Sequence, residues 1–319
     1  MSLTTNATPE ELRQAWQELK TKEPRLYTRD AAKKLGVSEA HLIALGNGDT
    51  SFRLKTDDLF AFFDGFSAFG ESLYLVRNEA AVLEKDATLK FEDKGAFLSA
   101  NGEGTRLAFI KAGIAHGFVV HAAQYVKRGA QFFDAAGNAV IKAYIRDESK
   151  IPEFDEWVKQ WHSADQTPVF AAQPVADDAA GHHHEGHSHG CSCGGSGHSH
   201  GHGGAPKEPP VELPANSFKT LLEAAVKSGE SVTVSVANGN ALLSVTAPVF
   251  KLSVFGPWFN ILDKELHMHL GENAIKHAFR VTDLGTKTLT VTFKDEADKP
   301  VVWMRVASDG AAAAELEKL

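Results

Sequence analysis

The side chains best suited to chemistry are crowded into residues 181–204, GHHHEGHSHGCSCGGSGHSHGHGG. This stretch holds eight of the chain's fifteen histidines and both of its cysteines. His182, His183, His184, His187, His189, Cys191, Cys193, His198, His200 and His202 are its candidate metal ligands. Imidazole and thiolate at one- and two-residue spacing suit Zn(II), Ni(II) or Cu(I). The Cys-Ser-Cys spacing is not that of a structural zinc finger, so several exchanging geometries are expected rather than one closed tetrahedron. What remains is Gly, Ser and one Glu, with no hydrophobic side chain. Such a stretch cannot offset the entropy cost of ordering, and it reads as a flexible strap between folded halves. A purification tag would sit at a terminus, not mid-chain. The plain alternative is a Gly-rich linker whose His content drifted.

The rest of the chain bounds what this strap can serve. A length of 319 residues suggests two domains. A hydrophobic content of 43% with 23% charged residues is that of an ordinary globular chain. No apolar run reaches the roughly eighteen residues of a membrane span, and the first residues are polar. With cysteines only in the strap, no disulfide framework exists, and a reducing cytoplasm is the expected setting. A formal net charge of −8 argues against a general nucleic-acid binder.

Helices are expected first. Thr8, Pro9 and Glu11 make a capping box ahead of Leu12, Trp16 and Leu19. Residues 29–45 read as two short helices around Gly36, with Ser38 as a cap. That helix-turn-helix-like pattern could bind DNA, but a packing pair is the commoner use. A third helix follows Thr56 with Phe60, Phe62, Phe63 and Phe66. From Glu71 the pattern becomes short β runs bounded by Gly, Asn and Asp. Ser149 then caps a helix bearing Phe154 and Trp157. After the strap, a Pro-rich spacer leads to a helix capped by Asn216 and ended by Gly229. More strands follow, with Asn238-Gly239 as a tight hairpin turn. The Ala-rich end is expected to fray.

The second half echoes the first. His116-Gly-Phe118-Val-Val120 aligns with His277-Ala-Phe279-Arg-Val281 at an offset of 161, and Phe133 with Phe293 at 160. The expected architecture is α+β, a tandem repeat of two antiparallel-sheet domains with flanking helices. Its parts are a first repeat over 1–165, a linker over 166–215, a second repeat over 216–308 and a frayed tail over 309–319.

Three segments carry a family resemblance: PRLYTRDAAKKLGVSEAHLIA, QFFDAAGNAVIKAYIR and VFGPWFNILDKELHMHLGENAIKHAFRV. They resemble the HemS/ChuS/HmuS haemin-utilisation proteins of bacteria, over roughly residues 11–162 and 216–306. The resemblance implies two tandem antiparallel-sheet repeats and cytoplasmic haem handling: binding, delivery to an oxygenase, and ring opening in some members. Haem (iron porphyrin) needs an axial ligand, cations for its propionates and an apolar floor. Arg106 falls where the family has a pocket arginine on a first-half strand; its other reading is a solvent-facing strand arginine. The family's axial His lies on a helix between the halves, in a place held here by the strap. Its Asn-Arg-Gly turn reads Asn238-Gly239-Asn240, and its C-terminal Tyr and Arg are replaced around Arg305 and Ser308.

Candidate haem contacts are therefore Arg106, the strap residues His184, His187 and His189, and His116 and His277 at equivalent repeat positions. His267 and His269 share one face of their strand by alternation. The expected function is haem trafficking in iron acquisition, with a haem oxygenase or haem importer as partner. The alternative is a Zn, Ni or Cu chaperone built on the same scaffold through its strap. No Walker loop, dinucleotide fingerprint or HExxH helix is present, and no catalytic residue can be named.

Overall fold

The computed structural model describes residues 7–121, 128–168, 170 and 207–319. Its elements run α1 (Pro9–Lys22), α2 (Thr28–Leu35), α3 (Glu39–Ala44), β1 (Ser51–Leu54), α4 (Leu59–Phe66), β2 (Ser72–Arg77), β3 (Ala81–Ala87), β4 (Lys90–Asp93), β5 (Phe97–Gly102) and β6 (Thr105–Ile110). They continue with β7 (His116–His121), β8 (Arg128–Phe133), β9 (Ala139–Ile145) and α5 (Ile151–Trp157). The second half holds β10 (Val211–Leu213), α6 (Ser217–Ser228), β11 (Ser231–Ala237), β12 (Ala241–Pro248), β13 (Leu252–Phe255) and β14 (Trp258–Leu262). It ends with β15 (His267–Gly271), β16 (His277–Asp283), β17 (Thr288–Lys294), β18 (Pro300–Ala307) and α7 (Ala311–Leu316).

Two nine-stranded antiparallel sheets result. Sheet A has the order β1-β7-β8-β9-β2-β3-β15-β14-β13, and sheet B the order β10-β16-β17-β18-β11-β12-β6-β5-β4. The two orders are the same list with each strand replaced by its repeat counterpart. Each half lends three strands to the other's sheet: β4–β6 finish sheet B, and β13–β15 finish sheet A. Neither half is therefore closed by itself. One apolar cluster runs between the sheets and joins Phe63, Phe91 and Phe109 to Val234, Leu243, Met268 and Phe293. The two hairpin turns interlock as well. Asn78 donates through Nδ2 to the carbonyls of Ala237 and Val301, while Asn238, 160 residues on, donates to those of Ala139 and Val140. In each case the Oδ1 atom stays within its own turn, accepting the amide protons of Ala81 or Ala241.

The N-terminal helices make the halves unequal. Thr8 and Glu11 form the capping box, and Gly36, at φ +72°, ends α2 in the left-handed region. Ala40, Ile43 and Ala44 of α3 then pack on Phe118 and Phe133, covering the outer face of sheet A at β7 and β8. Beneath them Lys142 meets Glu39 at 2.5 Å, with both side chains buried. Leu42 is buried too, so the apolar positions of α3 serve packing.

Three local expectations are corrected. Asp147, not Ser149, caps the turn that leads into α5, because its carboxylate accepts the Ser149 amide. Asn216 precedes α6 without a capping hydrogen bond from its side chain. The C-terminal stretch is not frayed: the carboxylate of Glu230 accepts the amides of Ala311 and Ala312, both at 2.9 Å, and starts α7. Ala312, Ala313 and Leu316 are then buried in the main cluster.

Candidate functional site: a groove on the open sheet face

Among the described residues, the outer face of sheet B has no counterpart of α1–α3 laid upon it, and a groove of about 840 Å³ runs across it. Alternation builds its floor. Val234, Val236, Leu243, Val245 and Leu107 point into the core, so Thr233, Ser235, Ser244, Thr246 and Arg106 point out. The register sets Arg106, Ser244, Ser235 and Trp303 side by side in one row across β6, β12, β11 and β18. Thr246, Thr233, Arg305 and Thr290 stand in the next row.

No tall side chain rises between Arg106 on one flank and Trp303 with Arg305 on the other. The intervening hydroxyls are paired among themselves, Ser235 with Ser244 and Thr233 with Thr246, each at 2.8 Å. Paired hydroxyls demand less water, so the floor is smoother and drier than its composition suggests. Phe97 and Ile110, 39% and 45% exposed, add an apolar wall at the far end of β6 from Arg106. The side chain of Arg305 is steadied by an Nε bond of 3.2 Å to Thr290 Oγ1. The groove thus offers a flat surface, an aromatic edge and two guanidinium forks, which suits a flat molecule with peripheral carboxylates.

Comparison with known proteins decides the family. Residues 36–161 and 204–294 match the haemin-degrading HemS.ChuX domain. The chain belongs to this family. It is 23% identical over 303 residues to the hemin transport protein HmuS of Yersinia pestis, covering 88% of this chain and 86% of that one. It is likewise 23% identical over 296 residues to the hemin transport protein HemS of Yersinia enterocolitica, covering 86% and 84%. Among solved structures, the holo form of PhuS, a heme-binding protein from Pseudomonas aeruginosa, superposes with a TM-score of 0.77 at 24% identity over 94% of both chains. The heme degrading enzyme ChuS of Escherichia coli O157:H7 gives 0.77 at 18% identity over 98% of both chains.

Within this HemS.ChuX scaffold the sequence-derived candidates separate. Arg106 is an exposed strand arginine and also a wall of the groove. His116 is on sheet A, its ring 4.6 Å from that of Phe170, and does not share the groove with Arg106. Burial, and then Arg53, hold its pKa below the ordinary histidine value. His277 lies on β16 opposite Lys294, on the same sheet as the groove but outside its lining. The linker candidates His182, His183, His184, His187, His189, Cys191, Cys193, His198, His200 and His202 lie outside the described residues.

Among the described residues, the groove lining includes no His, Cys, Met or Tyr that could bind iron. The residues present therefore fit the porphyrin plane and its carboxylates, and leave the metal's axial position to another segment. Trp303 and the paired hydroxyl floor are the contributors that reading the sequence missed. Their signal was present in SVTVSVA and TLTVTFK, where the first three outward positions of each strand are Ser or Thr.

Proposed function

We propose that this chain binds haem on the outer face of sheet B and carries it in the cytoplasm during bacterial haem-iron use. The observation that carries the reading is the flat hydroxyl floor between Arg106 and Arg305 in a chain of the HemS.ChuX family. The two guanidiniums would meet the propionates, and Trp303 would pack on the macrocycle edge. An iron ligand would come from the strap, with His184, His187 and His189 as the candidates. Lys207 bridges Asp283 at the β10–β16 edge, so the chain re-enters the fold beside the same sheet. A ligand held on a strap costs more ordering entropy than one on a helix, and it favours handing haem on to an acceptor such as an oxygenase.

The relatives' names support this reading: two are called hemin transport proteins, one a heme-binding protein and one a heme degrading enzyme. Ring opening is the finer possibility. It would draw electrons from outside, while this chain's own residues position the substrate and exclude water.

Titration of the full chain with haemin, followed by visible absorbance, tests the proposal. A shifted Soret band saturating at one equivalent is expected, and its absence ends the reading. Deleting residues 181–204 should alter the band; an unchanged spectrum would move the iron ligand into the folded halves. Reductant added to the complex under air, with chromatography for an opened tetrapyrrole, separates carriage from degradation.

A further inference from the structure

The position that carries Arg106 in sheet B is filled in sheet A by His267, and the next outward position, Ala108 in sheet B, by His269. Both imidazoles stand on the outer face of β15, with ring centroids 4.8 Å apart. The surroundings fix the chemistry of the second ring. Asn260 lies directly opposite His269, and its Nδ2 donates to the carbonyls of Ser253 and Trp258, both at 3.1 Å. Only its Oδ1 remains to face His269 Nδ1, at 2.6 Å, and an oxygen can only accept. The proton of His269 therefore sits on Nδ1 and the lone pair on Nε2. That is the tautomer in which a ligating histidine is held by a neighbour behind it.

The other partners agree. His267 Nε2 is buried and has no hydrogen-bond partner among the described residues. Glu84 is the cross-strand neighbour of His267 on the same face. No three His, Cys, Asp or Glu side chains among the described residues already converge on one point. The two rings are therefore the primary ligands, with water completing the shell.

We propose that His267 and His269, backed by Asn260 and flanked by Glu84, form a site for a divalent transition-metal ion that favours imidazole: zinc, nickel or copper. The site lies on the sheet opposite the haem groove and uses none of its residues. It stands whether or not haem binds.

The test is a zinc titration of the full chain, labelled with ¹⁵N-histidine and followed by long-range ¹H–¹⁵N spectra. The signals of the two rings are assigned from their loss in His267→Gln and His269→Gln. The expected result is that both Nε2 signals move together with one zinc dependence. Asn260→Ala should raise the zinc concentration required by roughly ten- to a hundredfold. The proposal is overturned if neither signal moves with zinc in excess over all fifteen histidines, or if only one of them moves. Should either variant fail to fold, the two rings are assigned in the wild-type chain from nuclear Overhauser contacts of His269 to Val82 and Asn260 and of His267 to Glu84, their cross-strand neighbours.

Discussion

Replacing the two groove arginines by glutamine, singly and together, probes the proposed haem site at its most specific point. A hydrogen bond to a charged group contributes about 1.5–3 kcal/mol when sheltered. Arg106 and Arg305 are both exposed, and exposed ion pairs fall to about 1 kcal/mol or less. Each single change should therefore weaken haemin binding by about 1 kcal/mol, close to fivefold in Kd. The register places three strand spacings between β6 and β18, roughly 14 Å. That exceeds both the ~7–10 Å range over which substitutions usually couple and the ~10 Å screening length at 0.1 M salt. The losses should then add, giving about 2 kcal/mol and roughly twenty-five-fold for the pair. Haemin titrations in parallel, with urea midpoints to confirm that the fold is intact, measure this. Wild-type affinity in both single variants, or a double variant no weaker than either single, would refute the assignment.

The ion pair beneath α3 should behave as a buried one. Glu39→Leu or Lys142→Met alone should cost about 3–5 kcal/mol, while the double change should recover most of it, as read by urea unfolding. Asn238→Ala strips carbonyl partners from the interlocked hairpins and should cost about 2–3 kcal/mol; a loss within experimental error would show that the interlock contributes nothing. Burial lowers the pKa of His41, His116, His121, His162 and His269. Below about pH 6.5 the unfolded chain takes up protons at these rings before the folded chain does, so stability should be level above that pH and fall beneath it. Urea midpoints at pH 7.5 and 5.5 check the sign; a higher midpoint at 5.5 would contradict it.

Much of the fold could be read directly because it is local. Thr8-Pro9-Glu10-Glu11 caps a helix wherever it occurs, Gly36 ends one, and alternation in Ser231–Ala237 makes a strand with one face for the core. The offset of 160–161 residues disclosed the duplication, since equal segments fold alike. The tail misled because its cap, Glu230, comes from far along the chain and leaves no local trace. The interlock is similar: Asn238 reads as a turn residue, and nothing near it says that its amide will satisfy carbonyls of the other half.

Strand pairing across the halves lay beyond the sequence for a physical reason. Alternation tells a strand which side to bury but not which edge to join. Sequence alone therefore determined the elements, the duplication and the crowding of histidine and cysteine into residues 181–204. Tertiary structure decided that β4–β6 and β13–β15 change sheets, which brings Arg106 into line with Trp303 and His267 into line with Glu84. It also decided that α3 covers the outer face of sheet A, because an ion pair such as Glu39 with Lys142 forms only once residues 103 positions apart have been brought together.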